Sequence, residues 1–289
     1  MKKSLFLLLS IVLSTQLYAQ LNVVVSIPPE LEFVQKIGGD RVNSSVMVEA
    51  GSSPHTYEPK PSQMKAVGTA DLYLSIGVEF ETIWLPKFQN QNRKLVITDV
   101  SQGIQRIPME GERHHEGEAT HHEEHERLDP HVWMTPDHAK IIARNIYEAL
   151  IKLDVNGTDY YHSNLESYIK ELNELQCHIK GLLDKVPPQS TFMVFHPSWG
   201  YFAKEYDLRQ LAVEIEGKSP KPRQLIAIIK EAKEEKVRAI FTQPEFSDKA
   251  AQTIADELGI EVIKSSALAA DWSQNLINLA RAIRAGAQH

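Results

Sequence analysis

Apolar residues recur at three- and four-residue steps between positions 158 and 186: Tyr161, Leu165, Tyr168, Ile169, Leu172, Leu175, Ile179, Leu182, Leu183 and Val186. The spacing predicts one long amphipathic helix, opened by the Asn156, Gly157, Thr158 cluster and stopped by Pro187 and Pro188. At about 1.5 Å per residue it is roughly 40 Å long, enough to span a domain. On both sides the pattern alternates between β-branched runs and helical stripes. Strands are expected over 21–27, 42–48, 72–76 and 94–98, with helices over 30–37, 62–67 (capped by Ser62) and 80–88. A helix over 136–153 leads into the long one. Strands then follow over 191–195, 209–215, 239–242 and 261–264, with helices running to Tyr206 and over 222–236, 248–258 and 271–284. Strand and helix in alternation mean parallel sheets covered by helices on both faces. The expected class is α/β, with two similar lobes, 20–135 and 187–289, joined through a helical connection at 136–186.

The extreme N-terminus departs from this pattern. Lys2 and Lys3 precede an apolar run from position 5 to 13, and Leu17, Tyr18 and Ala19 follow. Residues 1–19 read as a secretory signal peptide cut after Ala19, because the apolar run is too short to span a bilayer comfortably. The single cysteine, Cys177, falls on the long helix, so no cysteine stands at the cleavage junction for lipid attachment and no internal disulfide is expected. A free periplasmic monomer is the expected state. Losing the two lysines takes the formal charge from −7 to −9, which argues against nucleic acid as a partner.

Candidate chemistry lies in the histidines. His55 sits in a loop held stiff by Pro54, Pro59 and Pro61, although a single loop histidine is more often an ordinary surface residue. His131 follows Asp129, which could accept a hydrogen bond from its ring nitrogen and so select its tautomer. His196 ends the strand over 191–195, a placement read here as the same topological position as His55. In such sheets ligands gather at the carboxyl ends of strands. The tract 112–127 carries His114, His115, His121, His122 and His125 among glutamates, with almost no apolar side chain. It is expected to be a flexible, weakly metal-collecting loop. It is not a hydrolase motif: His121 and His125 are four apart, but His122 stands where HExxH needs its glutamate. Gly217, Lys218 and Ser219 imitate a phosphate loop, yet the earlier glycine is replaced by Ala212 and prolines flank the site. No GxSxG elbow or cysteine–histidine pair points to a nucleophile.

Five segments in order, SPHTYEPKPSQ (53–63), DPHVW (129–133), HPSWGYFAKEY (196–206), EGKSPKPRQL (216–225) and QPEFSDKAA (243–251), closely resemble the metal-binding subunits of bacterial ABC importers. These are the cluster A-I solute-binding proteins, and the likeness is strongest to their zinc-binding ZnuA-like branch. It covers nearly the whole mature chain. The resemblance implies two lobes bridged by one stiff helix, with little hinge motion and a metal in the cleft held by His55, His131 and His196. The family often adds an aspartate from a DPL-like loop near the C-terminus. Ser266, Ala267 and Leu268 stand there, leaving water or an unidentified carboxylate as the fourth ligand.

On this basis the expected function is capture of Zn²⁺ in the periplasm and its delivery to an inner-membrane ABC permease, not catalysis. Three imidazoles suit zinc, and a histidine at 196, where related manganese binders tend to carry a carboxylate, favours the softer ion. A zinc hydrolase is the competing class, because three histidines around an open position also make a catalytic site. A manganese or other divalent-metal binder of the same fold is the nearer alternative.

Overall fold

The structure, a computed structural model, describes residues 20–109, 127–215 and 218–287. The signal segment, the five histidines of the 112–127 tract and Gly217 lie outside the described residues. The first half runs β1 (Leu21–Val25), α1 (Pro28–Gly38), β2 (Val42–Val46), α2 (Pro61–Thr69), β3 (Leu72–Ser75), α3 (Glu79–Gln91) and β4 (Val96–Asp99). Its four strands are all parallel, in the order β2-β1-β3-β4. Val23, Val24 and Val25 of β1 and Leu72, Tyr73 and Leu74 of β3 are buried, as interior strands covered on both faces require. A connection over 100–135 leads to α4 (Pro136–Leu153) and α5 (Thr158–Leu183).

The second half repeats the first: β5 (Thr191–Val194), α6 (Gly200–Glu205), β6 (Arg209–Ala212), α7 (Pro222–Glu234), β7 (Ile240–Thr242), α8 (Lys249–Leu258), β8 (Val262–Lys264) and α9 (Trp272–Ala287). Its parallel strands are ordered β6-β5-β7-β8, so β5 is the counterpart of β1. This corrects one sequence expectation. His196 follows β5, whereas His55 follows β2, whose counterpart is β6. The two histidines are therefore not topological equivalents, a distinction that depends on strand order and not on chain order.

Local chemistry accounts for the helix ends. Ser62 does not cap α2. Pro61, lacking an N–H and with φ already helical, takes the first helical position, and the Gln63 side chain reaches back 2.8 Å to the Lys60 N–H. At α4, Thr135 is the cap and accepts from the His138 N–H at 3.2 Å, again with proline following. The long helix α5 has 26 residues, about 39 Å. It ends at Leu183 and not at Val186, because the prolines at 187 and 188 disfavour helical backbone just before them. Its buried stripe, Tyr161, Leu165, Tyr168, Leu172, Leu175, Ile179 and Leu183, follows the expected spacing.

That stripe packs on α1, α4 and α9. One continuous apolar cluster takes in the first sheet, these helices and Phe192, Val194, Trp199 and Phe202 of the second half. A smaller cluster, including Met193, Phe195, Ile228 and Ile254, fills the far side of the second sheet. No helix among the described residues is long and apolar enough to cross a membrane.

Two buried acids lie at the carboxyl ends of β1 and β3. Glu30 accepts from the Ser26 and Ile27 N–H groups at 3.0 Å each, and Glu81 accepts from the Ile76 and Gly77 N–H groups at 2.9 and 2.8 Å. Burial, only partly offset by these bonds and one from the Ser26 hydroxyl, pushes the Glu81 carboxyl up to about 7. Burial and the neighbouring Glu81 carry Glu30 well above the usual range. A raised folded value means that the stabilising, protonated form is fully present below about 4.5 and is lost as pH rises through about 7. Glu81→Gln should therefore gain stability relative to the parent between pH 5 and 8, by on the order of 3 kcal/mol. Thermal unfolding of both proteins across that range checks it, and parallel curves would refute it.

Candidate metal centre

Each of the three cleft histidines is placed by a different device. The His55 loop is tied down by Tyr57, whose buried ring lies edge-on to Phe80 and whose hydroxyl donates to Gln63 Oε1 at 2.8 Å. His131 is fixed by Asp129, wholly buried, whose Oδ1 accepts from the His131 backbone N–H at 2.9 Å and lies 2.7 Å from Nδ1. His196 is gripped by the Gln243 amide, which accepts from its N–H at 3.2 Å and donates to its carbonyl at 2.8 Å. Phe246 stacks on its ring at 5.1 Å between centroids. The first turn of α6 must then approach Asp129 closely. A Cβ on Gly200 would come within 2.7 Å of Asp129 Oδ2, which explains the glycine in HPSWG.

The ring nitrogens converge. One ligand atom from each of His55, His131 and His196 lies within 4.8 Å of the others, and His55 Nε2 is 3.0 Å from His196 Nε2. The opposite nitrogens all face carboxylates: His55 Nδ1 to Glu79 at 2.9 Å, His131 Nδ1 to Asp129 at 2.7 Å, and His196 Nδ1 to Glu214 at 2.8 Å. A carboxylate can only accept here, so each ring carries its proton on Nδ1 and aims a bare Nε2 lone pair inward. Two such lone pairs 3.0 Å apart repel each other unless a cation lies between them. A tetrahedral ion with bonds of about 2.0–2.1 Å would hold its nitrogens about 3.3 Å apart, in the range seen here.

Electrostatics favour the same occupant. Burial lowers His196 below the usual imidazole range; Glu214 opposes this and His131 reinforces it, leaving a neutral ring. Burial would raise Glu79, but its hydrogen bond and charge interaction with His55 win and bring it down to about 2. Arg127 lies 3.0 Å from Glu79. Among the described residues, no lysine or arginine pairs with Asp129 or Glu214, so the positive charge that these buried carboxylates call for is missing from the side chains around them. The cavity against the histidines is about 20 Å³, with Ser198, Gln243 and Glu245 also in its wall. That accommodates one water-sized body against the three rings. A groove of about 810 Å³ elsewhere, beside Lys204 and Arg209, shares no wall with the triad.

Residues 23–286 match the family described as zinc-uptake complex component A, periplasmic. The chain belongs to this ZnuA family. It is 31% identical over 246 residues to the high-affinity zinc uptake system protein ZnuA of Bacillus subtilis, covering 83% of this chain and 76% of that protein. The zinc-binding lipoprotein AdcA of Streptococcus pneumoniae is 27% identical, but this chain spans only 49% of its length. A crystal structure of a zinc-bound ZnuA deletion mutant superposes with a TM-score of 0.83 at 38% identity, over 93% of this chain and 98% of that one. The two-sheet α/β architecture is thus that of the ZnuA family.

The three histidines singled out from the sequence are brought together. Glu79 and Glu214 were missed. Both stand just past strand ends, after β3 and β6, in GVEFE and AVEIEG. An acidic residue at the carboxyl end of a parallel strand was the available signal, but no sequence spacing ties either one to its histidine.

Proposed function

We propose that this chain captures Zn²⁺ outside the cytoplasmic membrane through His55, His131 and His196, and delivers it to the ABC permease of a zinc importer. The observation that carries this reading is the set of three bare Nε2 lone pairs around a cavity of one-ion size, each backed by a carboxylate on Nδ1. Membership of a periplasmic zinc-uptake family supports the cargo and the compartment. In this reading residues 1–19 serve as the export signal. The division into lobes at 20–135 and 187–289, with 136–186 between, belongs to the same reading: the cleft histidines come from the first and last of these segments. A binding role is supported over hydrolysis because the carboxylates nearest the three rings, Glu79, Asp129 and Glu214, are all engaged on Nδ1 in orienting the ligands. Protein purified without tag or added metal should carry, or take up, one tight zinc equivalent in the cleft. A tight site that prefers manganese over zinc would overturn the cargo assignment.

Acid should release the ion. With Nδ1 already protonated, a further proton must go to Nε2, the ligating atom, and burial holds that step at His196 below the usual imidazole range near 6.5. Zinc affinity is therefore expected to hold above about pH 7 and to fall more than tenfold by about pH 5. Titration against a competing chelator at each pH measures it, and a flat profile would mean that carboxylates dominate binding.

A further inference from the structure

The three cleft histidines are not held alike. The side chains of His131 and His196 are 4% and 7% exposed, and the carboxylates behind them, Asp129 and Glu214, are buried with no lysine or arginine paired to them among the described residues. The His55 side chain is 20% exposed, and its carboxylate is shared. One oxygen, Glu79 Oε1, accepts from His55 Nδ1 at 2.9 Å and from Arg127 Nη2 at 3.0 Å. Arg127 is anchored from behind, because its carbonyl accepts from the Met109 N–H at 2.8 Å. Glu79 does not depend on Arg127 for its place: it is the first residue of α3, where the helix N-terminus favours a negative charge.

Building on the triad reading, we infer that Arg127 tunes the release of zinc, acting on the ion through Glu79 and His55. A carboxylate bonded to Nδ1 raises the basicity of the ring and strengthens its bond to a metal. A guanidinium on the same oxygen draws part of that negative charge to itself, so His55 is the weakest of the three donors. It is also the donor most open to solvent. Release therefore starts at His55, while His131 and His196, each backed by an unshared carboxylate, keep the ion seated until an accepting ligand takes it. Three unshared carboxylates would hold zinc longer, which opposes the handing over of cargo.

The test mixes the zinc-loaded full chain with excess chelator and follows zinc dissociation by stopped flow, alongside equilibrium competition. Arg127→Gln should slow dissociation and raise affinity by about 3-fold, a size set by the half-exposed ion pair that is lost. Arg127→Lys keeps the charge and should stay near the parent. Glu79→Gln should weaken binding by about 10-fold, as loss of a partner behind a ligand does. In that background Arg127→Gln should change nothing, because its route to the ion is gone. An effect of equal size in both backgrounds would show Arg127 acting directly on the ion and would overturn the inference. Faster release from Arg127→Gln would make Arg127 a brace for Glu79 and overturn it as well. Either result leaves the triad standing, whereas absence of any tight zinc equivalent in the parent would overturn the triad itself.

Discussion

His131→Ala should lower zinc affinity by more than about 100-fold while the protein remains folded. Losing a hydrogen-bond partner behind a metal ligand typically costs 10- to 100-fold, so removing the ligand itself must exceed that range. Of the three possible truncations this is the most informative. His131 is buried, at 3% exposure, but Asp129 Oδ1 keeps its bond from the residue 131 backbone N–H after the ring is gone. His196→Ala should lose zinc equally, yet it removes the described hydrogen-bond partner of the buried Glu214 carboxylate. Its loss of stability should therefore be larger, by roughly 1–3 kcal/mol. Calorimetric titration with zinc and thermal unfolding of the metal-free proteins separate the two effects. If His131→Ala bound zinc like the parent, the three-histidine centre would be wrong.

The strands and helices were legible because each rests on local periodicity: the valines of β1, the apolar stripe of α5 and the Pro136 start of α4 all carry their own signal. Helix ends were less so. Ser62 looked like a cap by residue type, but Pro61 already occupied the first turn and Gln63 did the capping. The ligand set was reached by resemblance in ordered motifs, and only the Asp129–His131 bond could be anticipated from adjacency. Glu79, Glu214 and Gln243 act on histidines 24, 18 and 47 residues away, through strand ends that only the sheet order brings together. The same dependence on topology explains why His55 and His196 looked equivalent along the chain and are not.

The largest loss of stability should come at the contact between the two halves. Trp272, at the start of α9 and 0% exposed, packs edge-on to Phe33 of α1 with centroids 4.9 Å apart, and its Nε1 donates to the Trp133 carbonyl at 2.8 Å. Trp133, equally buried, donates from its own Nε1 to the Ala267 carbonyl at 2.8 Å. The segment bearing His131 is thus bonded in both directions to the loop and helix that follow β8. Trp272→Ala removes a large side chain from the shared core and leaves the Trp133 carbonyl without its donor. Cavity formation alone should cost about 3–5 kcal/mol, and the orphaned carbonyl adds to it. Trp272→Phe keeps most of the apolar volume and loses only the donor, so about 1–3 kcal/mol is expected. Urea unfolding of the metal-free proteins should show this order. A loss below about 1 kcal/mol for Trp272→Ala would mean that the halves do not depend on a common core. The stiffness attributed to α5 would then have to come from that helix alone.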